Sequence, residues 1–548
     1  MTVGAFDRET ALGALSEGEF DVLVIGGGVT GAGVALDAAS RGLRTALVDK
    51  ADFASGTSSK SSKLIHGGLR YLQSGDTRLV YEALRERQRL LRNAPHLVSV
   101  LPFLIPMFGT DGVIHPKLAR ALGWVMWMYD LTGGARIGKL HQRISAEETL
   151  EHMPTLPPDR VAASYLYYDA QADDARLTVT IARTAAELHG AVCVNHAPVV
   201  DLLREGNRVK GAVVETHGRR TEVRARAVVN ATGVWADEVR TIDEGADPAT
   251  IRPAKGIHLT VPWELVRNDI AVVVPVPKDK RTVFVVPWPA APGQDPEFTY
   301  IGTTDTDYEG PLDDPRCTTE DIDYLLRAIN HSTTTHIGHE HVVGTWAGLR
   351  PLIRSSTGSK RTADLSRRHA VTASASGLIT VTGGKLTTYR EMAADTVDAV
   401  AKQLGLPRSQ QKSRTAKLRL RGADGHDPDA TGRAGHLQGR VGGETRLIET
   451  MIDRDPALGE PLVPGLPYLR AEAVYSARYE MAATLEDVLA RRTRALLLDR
   501  DATAEAAADV ADLIGDELGW DEATRRREVR QLRETADHQR APITRGTP

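Results

Sequence analysis

Two cysteines in 548 residues, Cys193 and Cys317, are too few and too far apart for a disulfide framework, and they lack the paired spacing of a zinc site. That usage fits a reducing cytoplasm. Neither sign of charge is in excess: 68 Lys and Arg against 72 Asp and Glu leave a formal charge of -4, so no whole-molecule field draws in nucleic acid. The first twenty residues have no basic start and no apolar run, so a secretory signal is not expected. Long apolar stretches are missing as well. The most apolar window, residues 118–134, is shorter than the ~20 residues that cross a bilayer and contains Arg120 and Asp130. The C-terminal part has no D-x-D-x-D-G loop, which excludes a calcium-binding hand of that type.

What remains is an ordinary globular composition, 41% hydrophobic and 26% charged, on a chain too long for one core, since single cores stop growing at roughly 250–300 residues. Two or three units are expected. Phe20 to Ile25 is a short apolar run ending in Gly26-Gly27-Gly28, followed by a small-residue stretch with helical spacing and a second apolar run, Thr45 to Val48. This reads as a βαβ unit with parallel strands, the start of an open α/β sheet. Leu79 to Leu91 has apolar residues three and four apart among charges, which predicts a helix with one solvated face. Between about 240 and 345, several short strand candidates separated by Pro-rich turns predict a mainly antiparallel sheet. Leu378 to Val381, Gly383-Gly384 and a helical run to Val400 return to the nucleotide-binding sheet, and after Gln410 a basic linker leads into helical patterns. The expected division is a discontinuous Rossmann-like domain (20–75, 150–240 and 345–405), a substrate domain (76–149 and 241–344), a C-terminal helical domain (411–536) and tails at 1–19 and 537–548.

Gly26-x-Gly28-x-x-Gly31 has the glycine spacing that lets a pyrophosphate approach the backbone at a helix N-terminus. Placed between strand and helix, with Asp49 ending the next strand at the offset expected for a ribose hydroxyl, it points to a dinucleotide. An acid at that position suits NAD or the adenosine half of FAD, and the triplet alone does not choose between them. Ala231-Thr232-Gly233 after the strand at 227–230, and the strand-Gly-Gly-helix at 378–400, resemble the returning segments of FAD-binding oxidoreductases.

Longer motifs stand between these: Thr57 to Tyr71 (TSSKSSKLIHGGLRY), Ile301 to Tyr308 (IGTTDTDY), Gly348 to Pro351 (GLRP), Thr382 to Arg390 (TGGKLTTYR) and Leu485 to Thr493 (LEDVLARRT). In this order they are similar to the FAD-dependent glycerol-3-phosphate dehydrogenase family over nearly the whole chain after residue 20. The resemblance implies FAD as cofactor, hydride transfer from C2 of sn-glycerol 3-phosphate to flavin N5, dihydroxyacetone phosphate as product, and a quinone or similar acceptor. Oxygen as acceptor, a glycerol-3-phosphate oxidase, stays open. It further implies FAD contacts from Thr57, Ser58 and Ser62, from Gly233 and Trp235, and from Gly384 through Lys385 and Leu386 to Thr387, with Lys385 facing both flavin and substrate.

A small phosphorylated polyol offers a dianionic head and little apolar area, so its affinity must come from charge-assisted hydrogen bonds, for which arginine is suited. The resemblance gives these to Arg70, Arg350 and Arg367, with Arg368 as the alternative in register, and puts Tyr71 and Thr303 in the pocket. His66 is the first candidate base, because imidazole titrates near neutrality and Gly67-Gly68 would let the backbone approach a flavin; His258 is the second. Membrane contact through the stretch from Lys117 to Tyr129, with Trp124 and Trp127, and pairing of two copies are both left open by the sequence.

Overall fold

Glu19–Ile25 forms a strand whose C-terminal half is buried on both faces, as the centre of a parallel sheet requires. The computed structural model describes residues 6–68, 77–109, 126–130, 138–279, 281–288, 296–354 and 369–540; Arg70, Tyr71, Arg367, Arg368 and most of the 117–129 stretch lie outside the described residues. From Ile25 the chain turns at Gly26, whose φ of +105° suits only glycine, runs through helix Val29–Ser40 and returns as strand Thr45–Val48. Val22 to Ile25 pairs in parallel with Thr45 to Val48 on one side and with Ala227 to Asn230 on the other. Ile379–Thr382 and Val192–Val194 extend the parallel run, and antiparallel strands complete an eight-stranded sheet. Helix Val29–Ser40 packs between helices Asp174–His189 and Tyr389–Leu404. Its small residues make that approach possible: a Cβ on Gly33 would lie 2.8 Å from the Tyr389 ring.

A second sheet of ten strands is built around Ile251–Pro262, which pairs antiparallel with Phe298–Gly302 and with Gly344–Ile353. The α/β class, with an antiparallel sheet beside the dinucleotide sheet, is as expected. Three strands change sides relative to the sequence pattern. Leu64–Ile65, Val161–Ala172 and Gly344–Ile353, grouped above with the nucleotide-binding segments, all hydrogen bond into the second sheet. Sheet membership depends on partners distant in the chain, such as Gln171 for Leu64 and Ile251 for Ile353, which strand periodicity does not carry.

One further expectation is corrected. Residues 8–15 are not a tail: Arg8–Leu15 is a helix capped by Asp7, and Phe6, Ala11 and Leu15 are buried in the core of the first sheet. Helix Thr77–Asn93 forms with one solvated face, and two of its charged residues, Glu86 and Arg87, lie on the buried side. Arg390 donates to both Glu86 oxygens (2.6 and 3.0 Å), and Arg87 pairs with Asp169. A buried charge is tolerated because it is paired.

The C-terminal helices include Gly432–Val441, Thr445–Arg454, Arg470–Tyr479, Arg500–Leu518 and Glu522–Gln539, with the π-helical turn Asp487–Arg492 between them. Leu485, Val488 and Leu489 share one core with Tyr300 and Trp346 of the second sheet, so this helical part is fastened to the face that backs the active site.

Candidate active site

A cavity of about 430 Å³ runs from the carboxyl ends of the first sheet's strands, at Ile25 and Val48, to the second sheet at His258 and Arg350. In open α/β sheets ligands bind at this end of the strands. At the dinucleotide end, Gly26, Gly28 and Asp49 line the cavity and Gly31 lies behind them. A Cβ on Gly31 would sit 1.8 Å from the Gly26 carbonyl oxygen, and one on Gly26 would sit 2.7 Å from the Ala231 oxygen, so the turn closes only with hydrogens there. Asp49 accepts from the backbone N–H groups of Gly27 and Ala51. Burial pushes its carboxyl up to about 6, against the pull of those two hydrogen bonds.

Thr57 and Ser58 stand opposite on a short 3-10 turn. The Ser58 hydroxyl accepts the Val29 N–H (2.9 Å), tying that turn to the helix start, and the Thr57 hydroxyl donates to the Leu349 carbonyl (2.6 Å). Gly233 and Trp235 line the same stretch, and the Trp235 indole N–H is buried without a hydrogen-bond partner. Missing Cβ atoms, a carboxylate at the strand end and an orphaned indole donor together fit an extended dinucleotide.

In the middle of the cavity lies the returning loop. Gly383 and Gly384 have φ of +75° and +82°, and a Cβ on Gly384 would meet the Met392 sulfur at 2.3 Å. Lys385 follows at the N-terminal end of the turn Leu386–Thr388, which runs directly into helix Tyr389–Leu404. Thr387 fixes the neighbouring segment: its hydroxyl accepts the His66 N–H (3.1 Å) and lies 3.3 Å from the His66 carbonyl. His66 lines the cavity. Of the two glycines after it, Gly67 faces the protein interior rather than the cavity. A Cβ on Gly67 would meet Leu84 and the Tyr129 hydroxyl, and its N–H donates to Asp169 (3.2 Å), so Gly67 is small for packing.

At the far end Arg350 projects from strand Gly344–Ile353, with its guanidinium donating to the Thr304 carbonyl and to the Thr303 hydroxyl, both at 3.2 Å. Gly256 on the paired strand leaves the room, since a Cβ there would lie 2.6 Å from both Arg350 Nη2 and Thr303 Oγ1. His258 is buried, stacked on Trp346 at 4.8 Å, with Nε2 2.9 Å from the Ser62 hydroxyl and Nδ1 lacking a hydrogen-bond partner. Burial, then the charges of Lys63 and Arg350, hold it well below the usual histidine range, so its imidazole is neutral. Every described candidate except Gly31 therefore borders one cavity. Lys60, Ser61 and Gly256 also line it and were not singled out from sequence; only the TSSKSS run offered a signal. Among the described residues, Asp52, His196 and Asp487 could group around a metal, but Asp52 already accepts from Arg491, Arg492 and Asn195.

Residues 21–390 match the family described as FAD dependent oxidoreductase, and residues 413–525 match the C-terminal domain of alpha-glycerophosphate oxidase. Glycerol-3-phosphate dehydrogenase 2 of Mycobacterium tuberculosis is 41% identical over 543 residues, covering 96% of this chain and 90% of its own length. The chain belongs to the FAD-dependent glycerol-3-phosphate dehydrogenase family. The human mitochondrial glycerol-3-phosphate dehydrogenase is 37% identical over 551 residues, covering 94% of this chain and 73% of its own. The X-ray structure of the glycerol-3-phosphate dehydrogenase from Bacillus halodurans complexed with FAD aligns with a TM-score of 0.77 at 30% identity, covering 99% of each chain. FAD is the cofactor that the cradle fits.

A pH dependence of FAD binding is the expected consequence of the Asp49 shift if a ribose hydroxyl meets this carboxylate. Its pKa in the folded protein is raised from 3.8 to about 6, so this proton favours the fold below the unfolded value and that advantage is lost as pH rises through about 6. A ribose hydroxyl donating to Asp49 favours the ionised form instead. FAD affinity is thus expected to weaken by up to about tenfold per unit as pH falls below about 6. Titrating apoprotein with FAD by fluorescence at several pH values tests this; a flat profile would contradict it.

Proposed function

We propose that this chain oxidises sn-glycerol 3-phosphate to dihydroxyacetone phosphate and passes the electrons to a quinone. The observation that carries this reading is the continuity of one cavity from the dinucleotide cradle to Arg350, Thr303, His66 and Lys385. FAD, when bound, supplies the oxidant by accepting hydride from the substrate carbon. Arg350 grips the phosphate, with the Thr303 hydroxyl beside it. Lys385 adds a cation to the partial positive charge at the start of the following helix, an environment that favours added negative charge and the substrate phosphate alike.

His66 takes the hydroxyl proton. Both histidines border the cavity, but burial and two neighbouring cations make a proton on His258 costly, which leaves His66, its backbone held by Thr387. His258 serves by holding the Ser62 hydroxyl. Substituting His66→Asn is expected to lower kcat by about 10²- to 10³-fold with FAD retained. A variant within threefold of the parent would return the role to His258.

Oxygen is the second reading for the acceptor, because residues 413–525 match a domain described from an oxidase. Among the described residues no helix is long and apolar enough to cross a membrane. Trp127 (54% exposed) and Met128 are nevertheless exposed together, with Trp127 at 5.3 Å from the His141 ring and Leu140 exposed next to it, and an apolar patch of this kind suits the surface of a bilayer that holds quinone. The deciding assay supplies a quinone in anionic vesicles and, separately, air alone. Quinone-dependent turnover that co-sediments with the vesicles supports the proposal; stoichiometric hydrogen peroxide in air, with no gain from quinone, supports the oxidase.

A further inference from the structure

The motif Leu485 to Thr493, continued by Arg494, has no role in the chemistry above. In the structure its arginines leave the C-terminal helices and reach loops of the dinucleotide sheet. Arg491 and Arg492 donate to Asp52 at 2.7 and 2.6 Å, three residues beyond Asp49. Arg494 donates to Asp173 (2.7 Å), pairs with Asp174, and donates to the Ser59 carbonyl (3.2 Å). Its side chain and that of Asp174 are fully buried, and its backbone φ is +92°, a conformation that a non-glycine residue keeps only where its surroundings demand it.

What Arg494 grips is the frame of a cavity-lining segment. Asp174 accepts the Ser61 N–H (3.0 Å), the Ser61 hydroxyl (2.6 Å) and the Lys63 ammonium (3.0 Å), and Lys63 also donates to the Ser59 carbonyl (3.2 Å). The Lys60 carbonyl is packed so closely on Gly348 that a Cβ there would lie 2.3 Å away. With its ends and middle fixed, the segment presents the Ser62 hydroxyl to His258 Nε2 at 2.9 Å and the Ser62 carbonyl to the Tyr300 hydroxyl at 2.9 Å.

We infer that Arg494, contributed by the C-terminal helices and anchored by Asp173, is a positioning residue for the reaction: through Asp174 and the Ser59 carbonyl it sets the Ser59–Ser62 segment and thereby the Ser62–His258 pair in the cavity. This rests on the proposed oxidation at that cavity. The C-terminal helices are then part of the catalytic geometry rather than only a cover.

Arg494→Lys keeps a charge but loses the planar fork that reaches two carboxylates and a carbonyl at once. Asp173→Asn is the gentler variant, since Asn also caps the helix that Asp173 starts but removes half of Arg494's charged grip. Both variants are expected to lower kcat by about tenfold or more with KM for sn-glycerol 3-phosphate within twofold, and to alter the visible circular dichroism of bound FAD. In a double-mutant cycle with Ser62→Ala, most of the loss should disappear, because the segment's contribution is already gone. If Arg494→Lys does not fold, Asp173→Asn alone decides. Unchanged kcat and dichroism with only a lower Tm, or strict additivity with Ser62→Ala, would overturn the inference. A parent protein inactive on sn-glycerol 3-phosphate whose dichroism still responds to both variants would refute the substrate reading and leave the positioning role standing.

Discussion

Replacing Arg350 by methionine is expected to lower kcat/KM for sn-glycerol 3-phosphate by about 10²- to 10⁴-fold while FAD stays bound. Methionine keeps much of the side chain's length and removes the charge that the proposed site offers the phosphate. Truncating one partner of a hydrogen-bonded charge pair costs about 3–5 kcal/mol, which corresponds to that range at roughly 1.4 kcal/mol per tenfold. Thr304 and Thr303 fix the guanidinium, the Asp305 carboxylate lies 3.4 Å away, and Gly256 leaves the space it occupies. Both kinetic constants should suffer, because binding energy from a non-reacting phosphate also orients the reacting carbon. Lysine should recover only part of the loss, lacking the planar fork. Steady-state kinetics, with the flavin content of each preparation measured, checks this; a methionine variant within fivefold of the parent would remove Arg350 from the phosphate site.

Replacing Gly31 by valine is expected to abolish stable FAD binding, weakening it by about 10²-fold or more. Even the first carbon of the side chain would stand 1.8 Å from the Gly26 carbonyl oxygen. That oxygen belongs to the turn itself and has no flexible side chain to yield, so the turn must shift, and overpacking of this kind costs about 1–3 kcal/mol, or roughly 10²-fold at its upper end. The purified variant should be nearly colourless and regain little flavin on incubation, with far-ultraviolet circular dichroism close to that of the parent. A variant that purifies yellow with one FAD per chain would show that the glycine triplet does not cradle the cofactor.

Why these two positions could be found before the fold was seen, and others could not, follows from range. The βαβ cradle is local: apolar strands, glycine spacing and Asp49 all fall within residues 19–49, and the structure pairs Val22 to Ile25 with Thr45 to Val48 as that pattern requires. Arg350, Thr303, Lys385 and His66 were legible as motifs, but nothing in their spacing states that they share a cavity. The partners that define their chemistry are distant: Ser62 meets His258, His66 meets Thr387, and Arg494 meets Asp173 and Ser59. The helix at Thr77–Asn93 was legible as one with a solvated face, but which of its charges turn inward was not, because Arg390 and Asp169, the partners of Glu86 and Arg87, come from elsewhere in the chain. Gly67 shows the complementary limit, in which a glycine beside a candidate base suggests room for a ligand although its missing side chain faces Leu84 and Tyr129.

The most direct test of the proposed activity is anaerobic mixing of the FAD-loaded protein with sn-glycerol 3-phosphate while the flavin band near about 450 nm is followed. Bleaching within the time of one turnover, with one dihydroxyacetone phosphate formed per flavin, is the predicted result. A yellow protein whose band does not change on mixing would leave the fold and the cradle intact and contradict the oxidation of sn-glycerol 3-phosphate.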